Sequence, residues 1–320
     1  MQHHKTGMFK KIQAAGEWRF RVLKHGINKY IWKLKRIFDF SPKEKMKSLS
    51  IVVVGRNDNY GGDFSLRLKT TIDWNLSRFP GAELIYIEWN PLENKDSDTL
   101  WMAERYPTAK IFVVPNSVHQ QFNPKSNFPI LEYLAKNLGI RKASGEWIAL
   151  INADVLLGPD IAFDQLSKSN VYGTHYTNMK WDNTPIKMED LTNKNNILTN
   201  AAAPFNMGGV VGNLILTHRD NWMKMTGYDE NLLDARNGVD NNGLAQLVNM
   251  GLKPMILGHH YHLDHPESLI NGANSTHGTS ERVAQILKGF NIPYKNNNSW
   301  GMNDYQFEKM SANVWKAQVK

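Results

Sequence analysis

Residues 150–155 read LINADV, an apolar stretch that ends abruptly in Asn152-Ala153-Asp154. A carboxylate at the tip of a buried strand is well placed to hold a metal ion. Later in the chain HHYHLDHP sets His259, His260, His262 and His265 beside Asp264, and imidazole suits borderline metals. On an extended segment His260 and His262 point to the same side, so spacing does not separate them. A solitary histidine is more often a satisfied surface or core residue; four in seven positions favour ligation. Two further polar clusters, Arg56-Asn57-Asp58 and Glu88-Trp89-Asn90, also close apolar runs. One such cluster is an ordinary turn, and Asn, Asp and Gly are turn formers. Three at successive strand ends point to a shared cleft.

The elements that must carry these residues follow a clear alternation. LSIVVV (49–54) is a β-branched run of the kind a parallel strand buried on both faces shows. Phe64, Leu68, Ile72 and Leu76 then recur at helical steps, ELIYIEW (83–89) reads as a strand, WMAERY as a short helix and KIFVV (110–114) as a strand. A helix is expected over 128–143 and a strand over 146–151. Strands alternating with helices at this spacing predict βαβ units on a mostly parallel α/β sheet flanked by helices. Ligands of such sheets bind outside the carboxyl ends of the strands. Residues 170–207, rich in Asn and Thr, predict a long loop or flap, and NIPYKNNNSWGMND a peripheral tail.

Composition removes several classes. The 320 residues contain no cysteine, which excludes disulfides, Cys-type zinc sites and a thiol nucleophile. The net charge of +8 is concentrated in residues 1–47, where 13 Lys/Arg face three acids; the rest of the chain holds 25 basic and 27 acidic residues. Within that arm Leu23, Ile27, Tyr30, Ile31, Leu34 and Phe38 recur at helical steps between lysines and Arg36. Such a helix either lies on an anionic membrane surface or docks on its own domain. No nucleic-acid motif accompanies the charge. No apolar run reaches the roughly 18 residues that span a bilayer. The expected placement is the cytoplasm, peripheral on the inner face of a membrane if the arm binds there. The expected organisation is an arm (1–47), one domain (48–280) and a C-terminal helical or irregular extension (281–320).

Five segments in order, SIVVVGRNDNYGGD, EYLAKNLGIRKASGEWIALINADVLL, GNLILTHRDNWMKMTGYDE, VDNNGLAQLVNMG and YHLDHPES, resemble family-2-like glycosyltransferases of the GT-A fold over about residues 49–268. That resemblance implies a Rossmann-like GT-A domain that moves a sugar from a nucleotide-sugar, UDP-linked by expectation, to a glycan or lipid-linked hydroxyl with inversion. It implies that Gly55, Arg56, Asn57, Asp58 and Glu88 meet the nucleoside, with Asn137, Arg141, Asn152 and Ala153 on the nucleotide side. Asp154 matches the last acid of a D-x-D and would hold Mn²⁺ or Mg²⁺. By position after the last strand, His262 is the favoured further ligand and His265 the second. The departure from the pattern is Asn152, an amide where the first acid stands. Asp240, just before NNGLAQL, matches the catalytic base and equally reads as a helix N-cap, worth about 1 kcal/mol. Trp222, Tyr228 and Asp229 are expected to shape the sugar or acceptor pocket, or, for the two aromatics, the core. Two rivals remain open. A sugar-phosphate nucleotidyltransferase usually has a Gly-rich loop with a basic residue cradling a triphosphate, which GRNDNYGGD does not match. A catalytically inactive binding protein would fit the missing first acid and the missing acidic partner of Asp240.

Overall fold

The computed structural model describes residues 46–122, 128–161, 163, 166–201, 213–232, 239–266 and 296–320. The basic arm, apart from Met46 and Lys47, lies outside the described residues.

β1 (Leu49–Gly55) is buried at all seven positions, as its unbroken apolar run requires. It is followed by α1 (Phe64–Arg78), β2 (Glu83–Trp89), α2 (Asp98–Arg105), β3 (Lys110–Val114), α3 (Asn116–Phe122), α4 (Glu132–Lys142) and β4 (Trp147–Ile151). The second half contains β5 (Val155–Leu157), β6 (Asn170–Met179), α5 (Met188–Thr192), β7 (Ile197–Ala201), β8 (Leu214–His218), α6 (Arg219–Met225), α7 (Val239–Asn249), β9 (Lys253–Leu263), β10 (Phe307–Lys309) and β11 (Val314–Ala317). The eleven strands among the described residues share one sheet in the order β10-β11-β3-β2-β1-β4-β8-β6-β9-β5, with β7 paired to β6. The centre β11-β3-β2-β1-β4 is parallel, and antiparallel pairs join β4 to β8 and β8 to β6. The protein is thus a mixed α/β fold with a parallel centre flanked by helices. No described helix is long and apolar enough to cross a membrane.

Two segments depart from the sequence expectation. Residues 170–179 are not a loop: they form β6, which pairs in parallel with β9 over most of its length. Its polar side chains hide the strand pattern because they find partners inside; the Thr174 hydroxyl, for example, lies 2.7 Å from His260 Nδ1. The C-terminal segment is not peripheral. Asn296 is buried and donates to the carbonyls of Thr226 and Tyr228 at 2.7 and 2.6 Å, and β11 adds to the sheet beside β3.

Glu83 anchors the start of β2. Its carboxylate accepts from the Ser50 hydroxyl, from the Ser144 amide at 2.8 Å and hydroxyl at 2.7 Å, and pairs with Lys110. Burial alone would raise its pKa, but Lys110, Ser50 and Ser144 outweigh that and hold it below the usual range. A depressed carboxylate contributes stability above its unfolded value of about 4.3, and loses it as pH falls through the folded value. Glu83→Gln is therefore expected to cost about 1–3 kcal/mol at neutral pH. The gap to the parent should close in acid, as read by denaturant unfolding at pH 7 and pH 3.

Candidate active site

A cleft of about 470 Å³ opens at the carboxyl ends of β1 and β4, where the sheet topology turns from parallel to antiparallel. Its walls include Gly55 at the end of β1, Arg56 and Asp58 just after it, Asn152, Ala153 and Asp154 after β4, and Asp229, Asp240, His262 and His265. Register explains the meeting of distant residues. β5 pairs with β9 so that Val155 faces His262, and the Leu263 amide donates to the Asp154 carbonyl at 3.0 Å.

Asp154 Oδ2 lies 3.4 Å from His262 Nε2 and 3.1 Å from His265 Nε2. One ligand atom from each of the three lies within 4.8 Å of the others, a grouping found nowhere else among the described residues. Each imidazole is oriented by an oxygen at its far side. His262 Nδ1 is 3.0 Å from Asn178 Oδ1, and the Asn178 amide is aligned by donating to Asp264 at 2.8 Å. His265 Nδ1 is 3.1 Å from the Pro266 carbonyl. A carbonyl-type oxygen requires a proton on Nδ1, which in the neutral ring leaves the Nε2 lone pair facing the carboxylate. Orienting partners of this kind typify metal-ligating histidines. Three electron-pair donors then converge and need a cation between them. The buried Asp154 Oδ1 has no hydrogen-bond partner among the described residues. Burial would raise the Asp154 pKa, yet imidazoles that carry a second proton, on Nε2, donate to the carboxylate and hold it far below its usual range. His265, opposed by burial, is raised by Asp154 and the Pro266 carbonyl. One carboxylate, two imidazoles and an unused carboxylate oxygen fit a divalent ion with open positions for a ligand. The expectation of His262 first and His265 second becomes a pair; His260 and His259 stand elsewhere. His260 is wholly buried, and burial holds it neutral with a pKa of about 3. His259 is exposed and faces Asp160 at 2.6 Å.

The loop after β1 presses on this cluster. Arg67 of α1, 2% exposed, donates to the carbonyls of Tyr60, Gly61 and Gly62. Gly61, at φ +65°, lies so close that a Cβ would strike the His265 ring, and the Tyr60 ring meets His265 edge-on at 5.1 Å. The expectation missed Arg67, although its place on the buried stripe of Phe64, Leu68 and Ile72 was a readable signal.

The remaining expected residues divide. Arg56 donates to the Asn90 carbonyl at 2.6 Å and pairs with Asp58 at 2.8 Å at the cleft edge. Asn57 turns away: its amide holds the backbone of Leu92, Lys95 and Asp96. Glu88, fully buried, accepts from the Ser97 hydroxyl, the Asp98 amide and the Thr99 hydroxyl at the start of α2. Asn137 bonds the backbone of Tyr228 and the Glu230 carboxylate. Arg141 donates to the Trp300 and Asn298 carbonyls and stacks on Trp300 at 4.1 Å. None of these last four lines the cleft. Trp222 and Tyr228 pack together in the core, with ring centroids 5.5 Å apart. Asp229 reaches the cleft wall and accepts from the Asn231 amide at 3.0 Å.

Asp240 sits in the first turn of α7. Its carboxylate meets the ammonium of Lys136 at 3.1 Å, so the cap reading does not describe where it points. Burial raises its pKa, Lys136 opposes that rise, and Glu132 adds to it. Gly243, one turn on, lies against the Tyr228 ring where a Cβ would collide, which lets α7 approach closely enough for this pair.

No protein-family model matches the sequence, and no curated protein does. Three solved structures are similar at low identity. GalNAc-T7 with UDP, GalNAc and Mn²⁺ is 13% identical with a TM-score of 0.47, over 76% of this chain and 48% of that one. TarS 1–349 from S. aureus is 11% identical with a TM-score of 0.42, over 68% and 60%. The mannosyltransferase PcManGT from Pyrobaculum calidifontis in complex with GDP-Man and Mn²⁺ is 12% identical with a TM-score of 0.44, over 87% and 76%. The chain spans about half the length of the first of these and 60% of the second.

Proposed function

We propose that this chain is a metal-dependent glycosyltransferase that takes a nucleoside-diphosphate sugar, UDP-linked in the first instance, and passes the sugar with inversion to a hydroxyl of a glycan or lipid-linked acceptor. The observation that carries the proposal is the convergence of Asp154, His262 and His265, with one carboxylate oxygen unpartnered, in the cleft that also holds Asp240. Those three residues would hold the ion. Two imidazoles favour Mn²⁺ over Mg²⁺, which asks for oxygen ligands. When bound, the ion supplies Lewis-acid charge to a departing diphosphate.

The chain's own residues do the rest. Asp58 and the Arg56 guanidinium at the cleft edge offer an acceptor and donors to a nucleoside. The loop that Arg67 fastens covers His265 and keeps water from it. Asp240 takes the acceptor hydroxyl's proton, and a carboxylate raised by burial is better matched to that task near neutral pH than an exposed one.

Thermal shift with UDP, GDP and GTP, each with and without Mn²⁺, tests the proposal. Stabilisation by UDP that requires Mn²⁺ is expected. A preference for GTP would indicate nucleotidyl transfer instead, and no response to any of the three would leave the proposal without a donor.

A further inference from the structure

Lys136 of α4 is 1% exposed, yet its ammonium is surrounded by oxygens. Glu132 Oε1 lies at 2.7 Å, Asp240 Oδ1 at 3.1 Å and Asn152 Oδ1 at 3.3 Å. An ammonium has three hydrogens, and here each has an oxygen to meet. One side chain thereby ties α4 to the first turn of α7 and to the residue that closes β4. The local charge is one positive against two negative, and a carboxylate at 152 would make it one against three. An amide offers Lys136 the same oxygen with no charge. It also keeps an N–H₂ for Asn213 Oδ1, a longer contact of 3.5 Å.

We propose that Lys136 is the positioning residue for Asp240, and that residue 152 is an amide because a carboxylate there would compete with Asp240 for this one buried ammonium. The inference rests on Asp240 as the base and goes further, naming what aims it and why the first strand-end position carries no charge. Among the described residues, the groups that face Asp240 are Lys136 and Glu132 from α4 and Tyr228 from the segment after α6. Burial lowers the Lys136 pKa, but Asp240 and Glu132 outweigh it and raise it above the usual lysine value, so the ammonium stays charged throughout the working range.

The test is the titration of the Asp240 carboxyl carbon by NMR in the full chain, for the parent, Lys136→Met, Lys136→Arg and Asn152→Asp. It is paired with the pH profile of UDP-glucose turnover. A neighbouring opposite charge moves a carboxylate by about one to three pH units. Lys136→Met should therefore strengthen proton binding at Asp240 by about tenfold or more. The acid limb of kcat should move up with it, while KM for UDP-glucose changes little. Lys136→Arg should restore most of the midpoint, and Asn152→Asp should raise it. If Lys136→Met does not fold, Asn152→Asp decides alone. A midpoint unmoved in Asn152→Asp overturns the inference. So does a gain in turnover in that variant, since the amide would then be a lost acid. Midpoints that move as expected in a parent that turns over no nucleotide-sugar (UDP-glucose, UDP-N-acetylglucosamine or GDP-mannose) would overturn the proposed function and leave the positioning role standing.

Discussion

Asp154→Ala is expected to abolish Mn²⁺-dependent stabilisation and to reduce sugar transfer to background. The substitution removes the one charge that joins the two imidazoles, which face it at 3.4 and 3.1 Å. Loss of a group that only orients a ligand weakens metal binding by about 10- to 100-fold, and a ligand itself contributes more. The metal-free fold should also lose stability, because Asp154→Ala removes a carboxylate that the two imidazoles hold below its usual range. The unfolding temperature without Mn²⁺ should therefore fall below the parent, and the further gain that the parent shows on adding Mn²⁺ should be absent from the variant. Calorimetric titration with MnCl₂ and thermal unfolding with and without the ion measure the two effects separately. Equal Mn²⁺ affinity in the variant and the parent would remove Asp154 from any metal centre.

Asp240→Asn carries the second large effect and separates binding from chemistry. The amide has nearly the same shape and still offers an oxygen to Lys136, but it cannot take a proton. General-base catalysis is worth about 10²- to 10⁴-fold, so kcat for transfer should fall by that amount. Binding of UDP and Mn²⁺ should remain near the parent value, because Asp240 belongs to α7 and the metal-facing atoms to the turn between β4 and β5, to β9 and to the residues just after it. Folding stability should drop modestly, since Lys136 keeps Glu132 at 2.7 Å while losing half of its counter-charge. Unchanged turnover with unchanged stability would identify Asp240 as a bystander.

Much of the frame is readable before any coordinates. β1, β2 and β4 are apolar runs of five to seven residues, and α1 and α7 show helical spacing. The polar clusters that close those strands are conspicuous for the same reason: a charged or amide group interrupts a segment that burial demands be apolar. β6 escapes that logic. Its threonines and asparagines satisfy their polar groups with side chains of β9, and no pattern in one strand reports a partner in another.

The amino-acid sequence by itself determined the alternating α/β plan, the strand ends as the place for a site, and the carboxylate and imidazole types available there. Tertiary structure decided which of them meet. Strand alternation assigns a side chain to a face but not to a depth, so His260 and His262 share a side while only His262 reaches Asp154. Helix α4 has few exposed positions, so its pattern gives no sign that Lys136 turns inward to Asp240. Glu88, Asn57, Asn137 and Arg141 have the right chemistry for a nucleotide, yet nearby backbone and side-chain groups take their hydrogen bonds first. A polar side chain's role depends on which partner desolvates it, and that partner is supplied by residues tens to hundreds of positions away.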